Sequence, residues 1–290
     1  MSVYKKESAS FFSSAVNSML QQTCPPTQFV LVCDGPLTPE LDKSIQDFLS
    51  EYPTLFRVIR LPVNQGLGLA LREGLSACDC ELVARMDSDD IALPLRMEHQ
   101  LAATNATASL SAVGGQIAEF VRSPRSIQSY RTVPISSEEI RRGIAVRNPM
   151  NHMTVLFRKS DVLSVGGYQD MKGFEDYYLW ARMLKAGYNL ANLPEICVLA
   201  RVSEIQARRG GWNYFRQTIQ LECALRACGL IGISSYYKNL LVRFCGAVLL
   251  PNVLRQHAYQ MYLRQSEAPE MSWAVEQPSL LIGANDLQLR

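Results

Sequence analysis

The feature that most constrains this chain is an alternation, through its amino-terminal part, of short β-branched or apolar runs with longer stretches of helical periodicity. That pattern encodes parallel strands joined by crossover helices. Ser8 to Gln22 carries Phe11, Phe12, Ala15, Val16, Met19 and Leu20 on one stripe and stops at Cys24-Pro25-Pro26, which predicts a helix. Gln28 to Cys33 predicts a strand, with Asp34-Gly35-Pro36 as the turn at its carboxyl end. The unit then repeats: helices are predicted over Pro39 to Ser50 and Leu67 to Ala77, and strands over Phe56 to Leu61 and Glu81 to Met86. Asp87-Ser88-Asp89-Asp90 follows the last of these at once. Open parallel sheets bind ligands beyond the carboxyl ends of their strands, so Asp34 and the second acidic cluster are expected on the same rim.

Further along, a helix near Leu93 to Thr104 leads to strands around Ala112 to Val121 and Met153 to Arg158, with polar irregular sequence between them as far as Arg131. These read as a mixed extension of the sheet. A helix from Glu175 is closed by Gly187, and a strand over Glu195 to Val202 follows. After Arg208-Arg209-Gly210-Gly211 the sequence is helical to about Gln265, and its last residues read as loosely ordered. The fold class predicted is α/β, a mostly parallel central sheet flanked by helices, with a helical extension at the carboxyl end.

The 290 residues, 48% of them hydrophobic, suffice for one large core or two modest ones. With 29 Lys and Arg against 27 Asp and Glu, a net charge of +2 supplies no field for a dedicated nucleic-acid binder, so no nucleic-acid partner is expected. The eight cysteines are scattered, several inside apolar runs such as Val30-Leu31-Val32-Cys33, and are expected to be reduced and buried. Cys78 and Cys80 have neither zinc nor redox spacing. Met1 to Glu7 has no basic segment followed by an apolar one, which predicts a cytoplasmic location. Apolar stretches such as Phe244 to Pro251 fall short of the roughly 18 residues of a membrane-spanning helix.

Asp87 and Asp89 are spaced by one residue in an extended segment, so they can point to one side of a turn and hold Mg²⁺ or Mn²⁺, hard cations that take oxygen ligands. The alternative is that Ser88 or Asp90 caps the helix beginning near Leu93-Pro94. Glu175-Asp176 stands where a loop enters a helix, where a carboxylate can act as general base on a hydroxyl. Two acids are also favourable there through the helix dipole alone. The aromatic residues around them suit a cleft wall or a core equally. Asn64-Gln65-Gly66-Leu67-Gly68 lacks the third glycine of a dinucleotide loop and the Gly-Lys-Ser/Thr ending of a Walker loop. It is read as a turn that lets the backbone approach a ligand closely.

In order along the chain, Met1-Ser2-Val3-Tyr4, Cys33-Asp34-Gly35, Asn64-Gln65-Gly66, Asp87-Ser88-Asp89-Asp90 and Glu175-Asp176 resemble the family-2 inverting glycosyltransferases of the GT-A fold, over roughly 200 residues. The resemblance implies that Ser2, Tyr4 and Asp34 line the nucleoside pocket, with Asn64 and Gly66 in the same donor-binding set. It implies that Asp87 and Asp89 bind ribose and the metal-diphosphate, and that Asp176 is the base, with Glu175 as the fallback. Residues 1–110 become the nucleotide-sugar-binding half, 111–205 the acceptor and base half, and 206–290 the helical extension. Two departures stand out: Cys33-Asp34-Gly35 replaces a frequent Asp-Asp-Gly, leaving Asp34 alone to read the base, and the apolar residues that usually precede the Ser-Val-Tyr segment are absent.

Arg147-Asn148-Pro149-Met150-Asn151-His152 and Arg208-Arg209-Gly210-Gly211 resemble segments of the subgroup that builds bacterial surface polysaccharides, including lipid-diphosphate-linked repeat units. His152 is then a candidate contact to donor or metal, with a structural hydrogen bond as the alternative. Arg208 and Arg209 are candidates to clamp the diphosphate, against a solvated charge pair. Pro251 to Arg264 has apolar and basic faces, suited to rest on the inner membrane leaflet near a lipid-linked acceptor or to pack on the catalytic unit. The implied reaction moves a hexose or N-acetylhexosamine from a UDP-sugar to a saccharide acceptor. Two rivals are a sugar-phosphate nucleotidyltransferase, whose glycine-rich basic loop Tyr4 to Ser10 does not supply, and a non-catalytic sugar-binding subunit, against which the retained Glu175-Asp176 argues.

Overall fold

The computed structural model describes residues 1–202 and 210–251, with 264, 265 and 267. The predicted alternation forms a parallel sheet of three strands, β1 (Ser2–Val3), β2 (Phe29–Cys33) and β3 (Phe56–Arg60), in that spatial order. Helices α1 (Ala9–Leu20) and α2 (Pro39–Glu51) supply the two crossovers, and α3 (Leu67–Ser76) leads from β3 toward the second sheet. Helix α2 starts where its cap dictates: Pro39 occupies the first turn, and the Thr38 hydroxyl accepts from the Leu41 N–H at 3.3 Å. The apolar stripe of α1 and the inner face of β2 meet in a core where Phe12, Leu31, Leu41 and Ile45 are almost wholly buried. Each such side chain contributes roughly 1.5–3 kcal/mol of burial free energy.

The second sheet has the order β4 (Leu82–Ala84), β8 (Leu156–Arg158), β6 (Leu110–Phe120), β9 (Asn189–Arg201) and β5 (Ile91–Ala92), with β7 (Ile127–Arg131) also on β6. Here the parallel pairing narrows to β6 and β9, while β4, β5, β7 and β8 all pair antiparallel. The mixed extension is therefore the larger of the two sheets. Strand β6, buried along its full length, is the spine. Gly114 and Gly115 let β9 cross it closely, because an added Cβ would lie 2.3 Å from Asn192 Oδ1 or 2.2 Å from Cys197 Sγ. Among the described residues no strand ladder joins β1 to β4; an apolar cavity of about 340 Å³, lined by Val30, Leu75, Leu82 and Phe157, lies between the sheets.

The remaining helices are α4 (Arg96–Ala106), α5 (Ser137–Gly143), α6 (Lys159–Ser164), α7 (Glu175–Lys185), α8 (Gly211–Ala227) and α9 (Ile233–Phe244). Helix α7 ends at Gly187, whose φ of 89° is open to glycine at little cost. Its inner face places Tyr177, Leu179, Trp180 and Met183 in a second core that α8 joins through Leu221 and Leu225. Strand β7 and helices α5 and α6 occupy stretches to which the sequence assigned no regular element. All eight cysteines are free thiols, but only Cys33 and Cys197 are buried as expected; Cys24, Cys78, Cys228 and Cys245 are half-buried, and Cys80 and Cys223 are exposed. No helix among the described residues is long and apolar enough to cross a membrane. Arg208, Arg209, most of the Pro251 to Arg264 segment and, apart from residues 265 and 267, the chain beyond it lie outside the described residues.

Candidate active site

Loops at the carboxyl ends of β2 and β4, and the loop between α6 and α7, carry the predicted residues, each held by its own polar network. In the first, Asp34 follows β2 and is buried, 4% exposed. Its carboxylate accepts from Gln65 N–H at 2.7 Å, Gly66 N–H at 3.0 Å and Asn64 Nδ2 at 2.9 Å. The acid thereby ties the loop after β3 to the loop after β2. Gly35 makes the junction possible, since its φ is 85° and an added Cβ would lie 2.7 Å from the Asn64 nitrogen. Ser2 lies on β1 opposite Val32, and Tyr4 closes the next turn by accepting the Glu7 N–H at 3.0 Å.

The second network surrounds Asp87-Ser88-Asp89-Asp90, directly beyond β4. Asp87 is ion-paired to Arg85, a guanidinium only 5% exposed. Ser88 donates to Glu7 Oε2 at 2.8 Å. Asp90 is buried and its Oδ1 accepts the Arg201 N–H at 2.7 Å, fastening this turn to the end of β9. Asp89 is half-buried, with its backbone carbonyl accepting from Arg201 Nε at 3.2 Å. Burial, followed by the neighbouring charges of Asp87 and Glu7, lifts the Asp89 carboxyl to about 7. The acids therefore outnumber the cations that face them, a surplus a divalent ion relieves. Asp87 and Asp89 offer hard oxygen donors of the kind Mg²⁺ and Mn²⁺ take, so the residues fit such an ion. No group of three or more His, Cys, Asp or Glu is placed to hold a metal among the described residues, so the further ligands would be diphosphate oxygens and water.

The third network opens α7. Asp176 is half-buried: Asn148 Nδ2 donates to its Oδ2 at 2.6 Å and the Tyr177 N–H to its Oδ1 at 2.8 Å. Burial chiefly raises its carboxyl above the ordinary range. Glu175 is 7% exposed, its Oε2 has no hydrogen-bond partner among the described residues, and burial pushes it up to about 7. Gly68, on the first turn of α3, is packed so closely against Glu175 that an added Cβ would lie 3.2 Å from the Glu175 Cβ. The first turn of α3 and the start of α7 therefore abut. His152 is buried, with Nε2 2.8 Å from the Tyr168 hydroxyl and the ring edge-on to Trp180 at 6.2 Å. Burial followed by the charge of Arg85 lowers its pKa well below the ordinary imidazole value, and the Tyr168 contact is a hydrogen bond of the kind the sequence left as the alternative to donor or metal.

One side chain joins the second and third networks. The positive charge of Arg85 favours the anions of Asp89 and Asp90 on one side and of Glu175 and Asp176 on the other. The phenol of Tyr168 in turn feels Asp176, Glu175 and Asp87. Arg85, Glu7, Asn148, Tyr168 and Arg201 were given no role from sequence. Arg85 alone carried a signal, a cation directly after Leu82-Val83-Ala84 in a strand whose neighbours are apolar.

The state of Glu175 has a measurable consequence. A carboxyl whose folded pKa is raised from 4.5 to about 7 favours the fold while protonated, so its contribution is lost as pH rises through that window. Glu175→Gln is expected to leave the melting temperature near pH 4.5 almost unchanged and to raise it near pH 8, by the equivalent of at most about 3 kcal/mol. Thermal denaturation of the two proteins at both pH values checks this.

The sequence profile of glycosyl transferase family 2 matches residues 1–163. An uncharacterized glycosyltransferase of Haemophilus influenzae is 41% identical over 266 residues, covering 91% of this chain and 98% of the relative. The Escherichia coli UDP-Gal:alpha-D-GlcNAc-diphosphoundecaprenol beta-1,3-galactosyltransferase is 32% identical over 91% of this chain and 95% of its own. Among solved structures, the mannosyltransferase PcManGT of Pyrobaculum calidifontis, in complex with GDP-Man and Mn2+, aligns with a TM-score of 0.59 at 16% identity, covering 90% of this chain and 74% of that one.

Proposed function

Because the chain belongs to glycosyl transferase family 2, we propose that it moves a hexose or N-acetylhexosamine from a UDP-sugar to a saccharide carried on a lipid diphosphate, with inversion, in bacterial surface-polysaccharide assembly. The observation that carries this reading is the position of Arg85, whose charge is felt by the metal-type carboxylates and by the base-type carboxylates at once. A transferase needs both at one centre. The donor and acceptor classes are supported by the E. coli relative, whose name specifies UDP-Gal and a diphosphoundecaprenol-linked sugar.

Residues 1–110 form the donor half in this reading, with Ser2, Tyr4 and the Asp34–Asn64–Gly66 network beside the nucleoside. Asp87 and Asp89 would hold Mg²⁺ or Mn²⁺, which, when bound, offsets the charge of the departing diphosphate. Residues 111–205 present the acceptor to Asp176. Asp176, fixed by Asn148, accepts the proton of the acceptor hydroxyl as that oxygen bonds to the anomeric carbon and the bond to the diphosphate breaks. One displacement inverts the centre and releases UDP. Glu175 is the second candidate, more deeply buried and backed by Gly68. His152 orients Tyr168 beneath the site, and Arg208 and Arg209 are assigned to the diphosphate. The enzyme works in the cytoplasm, with residues 206–290 and the Pro251 to Arg264 segment on the membrane side.

A panel of UDP-, GDP- and dTDP-sugars, each with and without Mn²⁺, tests the reading by thermal shift, since a cognate donor stabilises the fold by mass action. A UDP-sugar is expected to raise the melting temperature only with the metal. Equal shifts from all nucleotides, or none, would refute the donor assignment.

A further inference from the structure

Helix α9 has an outward face that nothing else among the described residues explains. Ile233, Tyr237 and Leu241 recur at four-residue spacing, each more than half exposed, so they form one stripe along the helix. Val242, Leu249 and Trp212 extend the patch, each about 60% exposed, with the Trp212 ring resting on Phe215 and Phe244 at 6.2 and 5.8 Å. Apolar area of this extent on one element marks a contact surface rather than a chance exposure.

The opposite face of α9 is anchored. Asn239 Nδ2 donates to Ala145 O at 2.8 Å and to Glu222 Oε2 at 3.0 Å, and Arg243 pairs with Glu222 at 2.8 Å. The helix is therefore fixed with its apolar side outward. Within the described segment 210–251 the exposed charge has one sign: Glu222 is its only acid and is fully buried, whereas Arg216, Arg226 and Lys238 are all exposed. An apolar stripe with an aromatic at its border and only cations facing outward matches an anionic lipid surface. A second copy of this chain would bring the same positive charge to the contact.

We propose that this face of α9 docks on an anionic bilayer. The anchor then has a functional sense, because Ala145, which holds Asn239, is three residues before Asn148, which orients Asp176. Docking by α9 sets the base-bearing rim at the level of lipid headgroups, where a diphosphate-linked acceptor is presented. This last step rests on the acceptor reading above.

The test uses the full chain and vesicles of phosphatidylglycerol or of phosphatidylcholine. The wild-type protein is expected to sediment with the former, less so as salt rises, and not with the latter. The double variant Tyr237→Glu/Leu241→Glu is expected to lose at least about tenfold in vesicle affinity while keeping its melting temperature and its stabilisation by UDP with Mn²⁺. Since the UDP response is read without vesicles, failure of the catalytic reading and failure of the docking face are separable. Leu241→Cys, in a Cys80→Ser/Cys223→Ser background that removes the exposed native thiols, should react rapidly with a maleimide in solution and slowly on phosphatidylglycerol vesicles. Slow reaction in solution would mean that another part of the chain or a second copy covers the face, and would overturn the proposal. So would a wild-type protein that ignores phosphatidylglycerol, or a double variant that binds it as before.

Discussion

Asp176→Asn is expected to lower turnover by roughly 10²–10⁴-fold while leaving donor binding nearly unchanged. The amide is close to isosteric with the carboxylate, and its oxygen can still accept from Asn148 or from the Tyr177 N–H. What disappears is the acceptor for the hydroxyl proton. The same assignment fixes a pH profile. Asp176 works as the anion, and burial raises its carboxyl above the ordinary range, so turnover should rise with pH until that raised pKa is passed and then level off. Comparison of kcat and KM for the variant, with a pH series for the wild type, checks both statements. If Asp176→Asn keeps normal turnover while Glu175→Gln loses it, the base is Glu175.

Asp89→Ala is expected to abolish metal-dependent donor binding. Asp87 is already neutralised in part by the buried Arg85 guanidinium, so removing Asp89 leaves one shared carboxylate, too little to hold a divalent ion beside a diphosphate. The same substitution should not weaken the metal-free fold. Burial and the charges of Asp87 and Glu7 lift the Asp89 carboxyl to about 7, so at neutral pH its anion is held at a cost that alanine removes. A variant that melts at or above the wild-type temperature without metal, yet gains nothing from UDP with Mn²⁺, is the signature of a site kept for function rather than stability.

The strand-end positions of Asp34, Asp87 and Asp89 were legible because hydrophobic periodicity sets where strands stop, and a parallel sheet sets which side the loops share. Less of the rest could be read. The bonds that Asp34 accepts from Asn64, Gln65 and Gly66 had no local signal, because those partners lie 30 residues or more downstream of it. The Asp90–Arg201 bond spans 111 positions and has no local signal at all. Strand β5 is two residues long, and β7 interleaves polar residues with its apolar ones, so neither stands out by period. Helix α5 is a different kind of omission. Its capping box, Ser136 with Glu139, is plain in the sequence, and the short helix behind it went unassigned. The parallel pairing of β6 and β9 depends on Gly114 and Gly115 clearing Asn192 and Cys197, contacts that exist only once the sheet has formed.

The account stands on one centre where acids from separate loops receive a divalent ion and a diphosphate together. Calorimetric titration of UDP into the wild-type protein, once in EDTA and once in Mn²⁺, tests it most directly, with Asp89→Ala in parallel. Binding in Mn²⁺ that vanishes both in EDTA and in the variant is the predicted result. Equal UDP affinity in EDTA and in Mn²⁺, or a variant that binds as tightly as the wild type in Mn²⁺, would contradict it.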